Sequence, residues 1–96
     1  MTMSMNTERH PICHKAIVHF GAPHQKIKAV EELSELAKEL VKNYEGAHNR
    51  DRVIEEMADV HIMLVQLAEI FSAGDDLERM IAFKLDRLKM RMEREK

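Results

Sequence analysis

The chain has 96 residues, the size of one domain, and its 15 basic and 17 acidic residues leave a net charge of −2. This balance excludes a global electrostatic attraction to nucleic acid or to an anionic membrane, so any polyanion binding must be local. A chain this short hides only about 60–65% of its unfolded surface, and helices that are apolar on several sides then usually need a partner chain. We therefore expect oligomerisation.

The sequence also bounds the cellular location. Cys13 is the single cysteine, so an intrachain disulfide is impossible. The stretch MTMSMNTERHPICHK has no long apolar core and no small-residue cleavage site of the secretory kind. Polar residues at positions 59, 61, 66 and 69 interrupt the longest apolar region and are too many for an unassisted membrane crossing. These features predict a cytoplasmic protein with no membrane partner.

The composition predicts an all-α fold. Only three glycines and two prolines occur, β-branched alternation is absent, and the frequent residues Leu, Glu, Lys, Ala and Met favour helix. Residues 1–11 are expected to form a flexible tail and residues 12–96 a single helical domain. Within that domain we expect an antiparallel bundle of three main helices plus a short N-terminal helix, completed by oligomerisation.

The first two predicted helices are separated by a glycine. ICHKAIVHF forms the short helix, which Gly21 ends, and Pro23 suits the first turn of the next helix. That long helix runs through HQKIKAVEELSELAKELVKNY to Tyr44. Apolar residues recur along one of its faces at steps of three and four: Ile27, Val30, Leu33, Ala37, Leu40 and Tyr44. EGAHNRD is the predicted loop that follows.

The third and fourth helices complete the domain. The third is predicted to begin near Asn49 or Asp51, either of which can cap it, and to end before Gly74. Asp75 or Asp76 is expected to cap the last helix, whose residues from Arg91 onward should fray. The stripe expected to be buried in this last helix consists of Leu77, Met80, Ile81, Leu85 and Leu88.

Two carboxylates stand at the start of the third helix, where most residues are apolar. At 100° per residue, Asp59 lies about 60° from Glu56, and Met63 and Leu67 each lie about 20° from it. Glu56 and Asp59 thus head an apolar stripe. An ionised carboxylate in such a place costs several kcal/mol unless a raised pKa, a basic partner or a metal ion compensates for it.

The second helix carries a similar pair, Glu32 and Glu35, one turn apart. In antiparallel packing the four carboxylates would converge, and no set of basic residues in these helices is spaced to neutralise all of them. Ligation by oxygen alone selects a hard ion, Mg²⁺ with Mn²⁺ as a substitute, and such a site suggests phosphate-ester or phosphoanhydride chemistry. The alternative is that these pairs lie on solvated helix faces, as acidic pairs at this spacing commonly do.

The pattern of acids resembles a known family. Glu32-x-x-Glu35, a gap of 20 residues and Glu56-x-x-Asp59 look like the signature of the MazG-like, all-α nucleoside triphosphate pyrophosphohydrolases, and the glutamate before each half matches too. HFGAPHQKIKAVEELSELAKEL and RVIEEMADVHIMLVQL are similar to the family's two metal-bearing helices, and IAFKLDRLKMR to the basic helix that follows. Together these stretches lie between residues 19 and 91.

The resemblance implies a Mg²⁺-dependent hydrolase that cuts between the α and β phosphates. A nucleoside or deoxynucleoside triphosphate and water would give the monophosphate and pyrophosphate, a house-cleaning activity on the nucleotide pool, in a homodimer or a dimer of dimers. It implies that Glu32, Glu35, Glu56 and Asp59 bind the metal ion. Glu31 or Glu35 would act as base for the attacking water, and the choice between them stays open.

Basic residues of the last helix are candidates for phosphate binding. Lys84, Arg87 and Arg91 share one stripe, and Lys84 and Arg87 match positions where the family carries phosphate-binding residues. The helix dipole alone also favours basic residues near a C-terminus. Lys28, one turn before Glu32, could contact phosphate or simply pair with that glutamate. Gln25 resembles a polar residue near the nucleotide in relatives, although a lone glutamine is more commonly a surface group.

Other interpretations remain to be tested. The chain could be a helical module that keeps this fold and binds a nucleotide or a protein without turnover. With three Phe, one Tyr and no Trp, no base-stacking platform is identifiable. Acids at positions 75, 76, 78, 86, 93 and 95 argue against nucleic-acid binding by the last helix. His61 lies about 140° from Glu56 and is expected to be a core or interface histidine with its hydrogen bonds satisfied.

Overall fold

The fold consists of four helices. A computed structural model describes residues 10–95, and the helices are α1 (Pro11–Phe20), α2 (Ala22–Tyr44), α3 (Arg50–Ile70) and α4 (Gly74–Arg94). No residue between 10 and 95 is in a strand. The prediction of an all-α chain with three main helices and a short N-terminal one is confirmed. None of the helices in this range is long and apolar enough to span a membrane.

Gly21 forms the junction between α1 and α2. Its backbone φ of 90° is a value that residues with a Cβ atom rarely adopt, which explains why a glycine occupies this position. Its N–H donates to the carbonyl of Ile17, and its own carbonyl accepts from the N–H of Gln25. One residue therefore ends the first helix and begins the second, as the sequence predicts.

Helix ends differ from the predictions at three places. Asn49 precedes α3, but its side chain makes no capping hydrogen bond, because its Oδ1 accepts from Nδ2 of Asn43 instead. Its Nδ2 donates across to the carbonyl oxygen and Oε1 of Glu39. Asp75 and Asp76 do not cap α4, since the helix already begins at Gly74 and they occupy its first turn, where the helix dipole favours acids. The helix also continues to Arg94, so the predicted fraying from residue 91 is wrong.

The predicted flexible tail falls largely on residues 1–9, outside the described range. Of the remaining two residues, Pro11 already opens α1, where its missing N–H costs no hydrogen bond. α1 then packs against α3 through a small apolar core of Cys13, Val65 and Ala68, with Leu64 and Leu77 against it.

α2 and α3 form the main packed pair, and the face of α2 that meets α3 is polar. Its buried residues are Gln25, Ala29 and Glu39, and Glu32 on the same face is partly buried. Two of these side chains have hydrogen-bond partners across the interface, which offsets the cost of burying them. The predicted apolar face is exposed instead: Ile27, Val30, Leu33, Ala37, Leu40 and Tyr44.

The predicted buried stripe of α4 is wrong for the single chain. Leu77 is the last residue of α4 that is even partly buried, and every residue from Glu78 to Glu95 is exposed. The helix leaves the body of the molecule after its first turn. The chain is accordingly extended: its Cα radius of gyration of 15.7 Å exceeds the about 12.5 Å of a compact chain of this length.

Candidate metal site

Three of the four predicted metal ligands come together between α2 and α3. Glu32, Glu56 and Asp59 each offer a carboxylate oxygen, and the three oxygens lie within 4.8 Å of one another. Glu32 is in the middle of α2, and the two α3 residues are one helical turn apart. Within residues 10–95, no other group of three or more His, Cys, Asp or Glu side chains shows this geometry. We call these three residues the acid cluster.

Glu56 is the buried member of the acid cluster. The residue is 6% exposed, and its Oε2 is buried with no hydrogen-bond partner. Burial is the main cause that raises the pKa of Glu56, followed by the charges of Asp59 and Glu32. Arg52, whose Nη2 lies 3.7 Å from Oε1 of Glu56, opposes this shift without reversing it. A buried carboxylate oxygen without a donor is costly, and a cation is the partner that would satisfy it.

Glu35, the fourth predicted ligand, lies at the edge of the acid cluster. It is partly buried one turn after Glu32, and its Oε2 is 4.0 Å from Nζ of Lys38. No oxygen of Glu35 belongs to the group within 4.8 Å. Its charge nevertheless contributes to the raised pKa of Glu56. Glu35 therefore acts on the cluster electrostatically without sharing its centre.

Lys28 lies beside Glu32 on the α2 side of the acid cluster. Its Nζ lies 3.3 Å from Oε1 of Glu32 and 3.5 Å from Oε2 of Glu31. The hydrogen bond with Glu32 is the largest cause that raises the pKa of Lys28. The structure shows the predicted pairing with Glu32, and contact of Lys28 with phosphate stays a prediction. Glu31, a candidate base, is exposed beside Lys28.

The charges around the cluster do not balance. Four carboxylates, those of the acid cluster and Glu35, face three nearby cations, Lys28, Lys38 and Arg52. Arg52 is shared, because its guanidinium also lies 4.0 Å from Oε1 of Glu39 and 3.9 Å from Oε2 of Glu55. The site therefore keeps a net negative charge that the surrounding side chains do not neutralise.

Gln25 is buried, so the alternative of a surface glutamine is wrong. It is 4% exposed, and its Nε2 donates to Oε1 of Gln66 over 2.8 Å. Its Oε1 lies 2.7 Å from Nδ1 of His24. This pair of glutamines joins α2 to α3 beside the apolar core. Sequence reasoning missed the pair, although Gln66 inside an apolar helix was the available signal.

The basic residues predicted to bind phosphate lie apart from the acids. Lys84, Arg87 and Arg91 border a shallow groove with Leu88 on the exposed surface of α4. The ion pair that α4 makes is internal, between Arg79 and Asp76. Within residues 10–95, no basic side chain of α4 pairs with an acid of α2 or α3. A single chain therefore does not bring these two sets of predicted site residues together.

His61 lies on the α1 side of α3, away from the acids as its angle predicts. Its ring packs edge to face with that of His10, with 5.9 Å between the ring centroids. Its Nδ1 is buried with no hydrogen-bond partner, so the expectation of a fully satisfied histidine is wrong.

No family model, curated protein or solved structure matches this chain. A functional assignment therefore rests on the geometry of the acid cluster and on the pattern of acids in the sequence.

Proposed function

We propose that this protein is a Mg²⁺-dependent nucleoside triphosphate pyrophosphohydrolase of the MazG-like, all-α kind. It would convert an NTP or dNTP and water into the monophosphate and pyrophosphate. The observation that carries the proposal is the acid cluster with the buried, unpartnered Oε2 of Glu56. The spacing of the acids in the sequence, which resembles the signature of that family, supports it independently of the fold.

The residues present fit a divalent cation of the hard class. The cluster offers only carboxylate oxygens, which suit Mg²⁺ or Mn²⁺, and it has neither sulfur nor imidazole. Its unbalanced negative charge and the unpartnered oxygen of Glu56 are features that such an ion would satisfy. A bound Mg²⁺ would supply Lewis-acid chemistry, polarising phosphoryl oxygens and offsetting the charge of the triphosphate.

Each side chain at the proposed site would have a role that follows from its position. Glu32, Glu56 and Asp59 would hold the ion from two helices, and burial between those helices keeps Glu56 in one place. Glu35 or Glu31 would accept the proton of the attacking water. Lys28 would keep Glu32 oriented, which is a positioning role. Lys84, Arg87 and Arg91 would bind phosphates, which requires α4 to approach the acids more closely than it does in one chain.

A second candidate is a nucleotide- or protein-binding module with the same fold and no turnover. The observation that favours it is the separation between the basic residues of α4 and the acid cluster. Such a module would still bind Mg²⁺ with a nucleotide but would release no product.

One assay separates the two candidates. The protein is incubated with Mg²⁺ and each common NTP and dNTP, and pyrophosphate and orthophosphate are measured separately. We expect pyrophosphate and the monophosphate in equal amounts, at a rate that EDTA abolishes. Orthophosphate alone, or no turnover of any nucleotide, would contradict the hydrolase proposal.

A matched pair of variants ties the activity to the cluster. Glu56→Gln removes one charge from the cluster with almost no change in side-chain volume. Glu55→Gln removes one charge at the neighbouring residue, whose side chain is exposed and outside the cluster. We expect Glu56→Gln to lose Mg²⁺-dependent turnover and Glu55→Gln to keep it. Equal rates in the two variants would show that the proposed ligand set is wrong.

A further inference from the structure

We propose that Arg52 couples occupation of the metal site to binding of the substrate's phosphates. Its positive charge opposes a divalent cation that enters the acid cluster alone, and its guanidinium binds phosphoryl oxygens when the cation arrives with a triphosphate. The inference rests on the metal site of the proposed function. It adds to that function the condition under which the site fills.

Arg52 continues the stripe of acids on α3. It precedes Glu56 by four residues and Asp59 by seven. At 100° per residue, it therefore lies about 40° from Glu56 and about 20° from Asp59 around the helix. The guanidinium is thus on the same side of α3 as the two acids that α3 contributes to the cluster.

Lys28 and Arg52 lie at opposite ends of the acid cluster. α2 and α3 run antiparallel, because Gln25 near the start of α2 contacts Gln66 near the end of α3. Lys28 precedes its partner Glu32 by one turn of α2, whereas Arg52 precedes the α3 acids by one turn of α3. An ion in the cluster therefore has a positive side chain on each side along the helix axes.

The guanidinium of Arg52 is close to three carboxylates and hydrogen-bonded to none of the three. Nη2 lies 3.7 Å from Oε1 of Glu56, Nη1 lies 3.9 Å from Oε2 of Glu55, and Nε lies 4.0 Å from Oε1 of Glu39. An N–H···O hydrogen bond has about 2.7–3.2 Å between its heavy atoms. These acids hold Arg52 by charge alone, so they leave its N–H donors free for another acceptor.

The carboxylate of Glu56 is where Arg52 and a metal ion would meet. Its Oε1 pairs with Arg52, and its Oε2 is the buried oxygen without a partner. A cation bound to Oε2 therefore shares one carboxylate with the guanidinium. Two positive charges on one carboxylate repel each other, and the repulsion is stronger than in water because Glu56 is buried. Arg52 thus weakens the binding of a divalent cation on its own.

A triphosphate offsets this repulsion. Its negative oxygens can contact a metal ion and a guanidinium at the same time, and the planar fork of arginine fits two oxygens of one phosphate. Arg52 is accessible for such a contact, since 56% of its side chain is exposed. It also needs no movement of α4, because it lies on the helix that carries Glu56 and Asp59.

The other partners of Arg52 do not depend on it. Glu39 accepts a hydrogen bond from Asn49 and lies 3.3 Å from Nζ of Lys42. Glu55 is exposed to water. A shift of the guanidinium toward a phosphate therefore leaves neither of these acids buried without a partner.

A matched pair of variants tests the coupling. Arg52→Gln and Arg50→Gln remove the same charge from α3, but Arg50 lies about 160° from Arg52 around the helix and is 84% exposed. Calorimetry measures the binding of Mg²⁺ alone and then of inorganic tripolyphosphate in the presence of Mg²⁺. Tripolyphosphate presents linked phosphates without a base, so base preference does not affect the result.

We expect the two affinities to change in opposite directions. Arg52→Gln should bind Mg²⁺ at least about threefold more tightly than the wild type and tripolyphosphate at least about tenfold more weakly. Arg50→Gln should stay within about twofold of the wild type in both. A purely structural role of Arg52 would weaken both affinities. Mg²⁺ binding in Arg52→Gln that is unchanged or weaker, or tripolyphosphate binding equal to that of Arg50→Gln, would overturn the proposal.

Arg52→Lys is the second variant, and it carries the test if circular dichroism shows that Arg52→Gln does not fold. It keeps the charge but not the planar fork. We expect Mg²⁺ affinity within about twofold of the wild type and tripolyphosphate binding at least about threefold weaker. Tripolyphosphate binding equal to that of the wild type would overturn the guanidinium contact.

These measurements do not use turnover, so they separate this proposal from the hydrolase. The expected shifts without any release of pyrophosphate would contradict the hydrolase and leave the role of Arg52 standing. Equal Mg²⁺ affinities in Arg52→Gln and Arg50→Gln would contradict the role of Arg52 alone. No binding of Mg²⁺ to the wild type or to any variant would contradict both.

Discussion

Two buried glutamates at the interface of α2 and α3 have opposite surroundings. Glu39 on α2 is 4% exposed, and its carboxylate receives a hydrogen bond from Nδ2 of Asn49 and lies 3.3 Å from Nζ of Lys42. Glu56 on α3 is buried to a similar degree, but its Oε2 has no partner and its neighbours Asp59 and Glu32 are acids. The hydrogen bond from Asn49 is the main cause that lowers the pKa of Glu39, while burial raises that of Glu56.

The difference shows that burial alone does not make a carboxylate a ligand. Both residues have the same side chain, and both lie near Arg52, which is within 4.0 Å of each carboxylate. Glu39 is satisfied by groups that the chain itself provides, so it connects α2 to the start of α3 as a structural residue. Glu56 is left with a free oxygen among like charges. Of the two, it is the one that the chain's own groups leave without a partner, and for this reason we propose it as a metal ligand.

The largest expected difference between substitutions of the two glutamates is in catalytic activity. We expect Glu56→Gln to lower Mg²⁺-dependent release of pyrophosphate by at least about 100-fold, because it removes a proposed ligand charge. Glu39→Gln should stay within about threefold of the wild type, since Glu39 contacts no member of the acid cluster. Steady-state kinetics on the best nucleotide checks both. Equal losses in the two variants would remove the distinction on which the site assignment rests.

Stability without divalent cations should show the reverse order. Glu39→Gln should lower the Tm by several degrees, because Asn49, Lys42 and Arg52 lose a charged partner. Glu56→Gln should leave the Tm unchanged or raise it, because it removes a repelled charge. Thermal unfolding in EDTA measures both shifts. A lower Tm for Glu56→Gln than for Glu39→Gln would mean that Arg52 satisfies Glu56 after all.

The contributions of Glu39 and Glu56 to the stability of the fold should depend on pH with opposite signs. The pKa of folded Glu39 is below its ordinary value of 4.5, so its contribution to stability is present above pH 4.5 and is lost as the pH falls through the folded pKa. The pKa of folded Glu56 is above 4.5, so its ionisation lowers stability as the pH rises from 4.5 through the folded pKa.

Differences in Tm between each variant and the wild type, measured from pH 4 to 8 in EDTA, test these signs. The loss in Glu39→Gln should shrink toward the acid end. The gain in Glu56→Gln should grow toward neutral pH. Parallel pH profiles for the two variants would contradict the opposite pKa directions.

The smallest expected effect concerns Asn49, the neutral donor to Glu39. Asn49→Ala removes its hydrogen bonds to the carbonyl oxygen and to the carboxylate of Glu39. We expect a loss of about 1 kcal/mol in the free energy of unfolding and no change in turnover. Urea denaturation checks the first expectation and the pyrophosphate assay the second. A loss of activity in Asn49→Ala would show that the Glu39 end of the interface also serves the site.

The sequence predicted the helices better than it predicted their faces. Periodicity and Gly21 located the four helices, because these signals act within a few residues. The apolar stripe of α4 did not show which surface it would meet, and the single chain leaves that stripe exposed from Met80 onward. A periodic pattern identifies an apolar face, but it does not say whether the same chain or another chain covers it.

Only part of the candidate site could be predicted, for a similar reason. Glu32, Glu56 and Asp59 were predictable together, since the i, i+3 spacing fixes the acids on their helices and antiparallel packing brings the helices together. Glu35 lies at the edge, because its position depends on how α2 is rotated against α3. The buried hydrogen bond between Gln25 and Gln66 joins the two helices in the rotation that the structure shows. The apolar pattern of a single helix cannot reveal such a pair, because its two residues lie on different helices.

Direct binding of Mg²⁺ tests the central claim, which is that the acid cluster of Glu32, Glu56 and Asp59 binds a divalent cation. Titration calorimetry is carried out on the metal-free wild type, Glu39→Gln and Glu56→Gln, with Mn²⁺ as a second probe. We predict one ion per chain for the wild type and for Glu39→Gln, and a loss of most of the affinity in Glu56→Gln. No binding to the wild type, or equal affinity in all three proteins, would contradict the assignment of the acid cluster as a metal site.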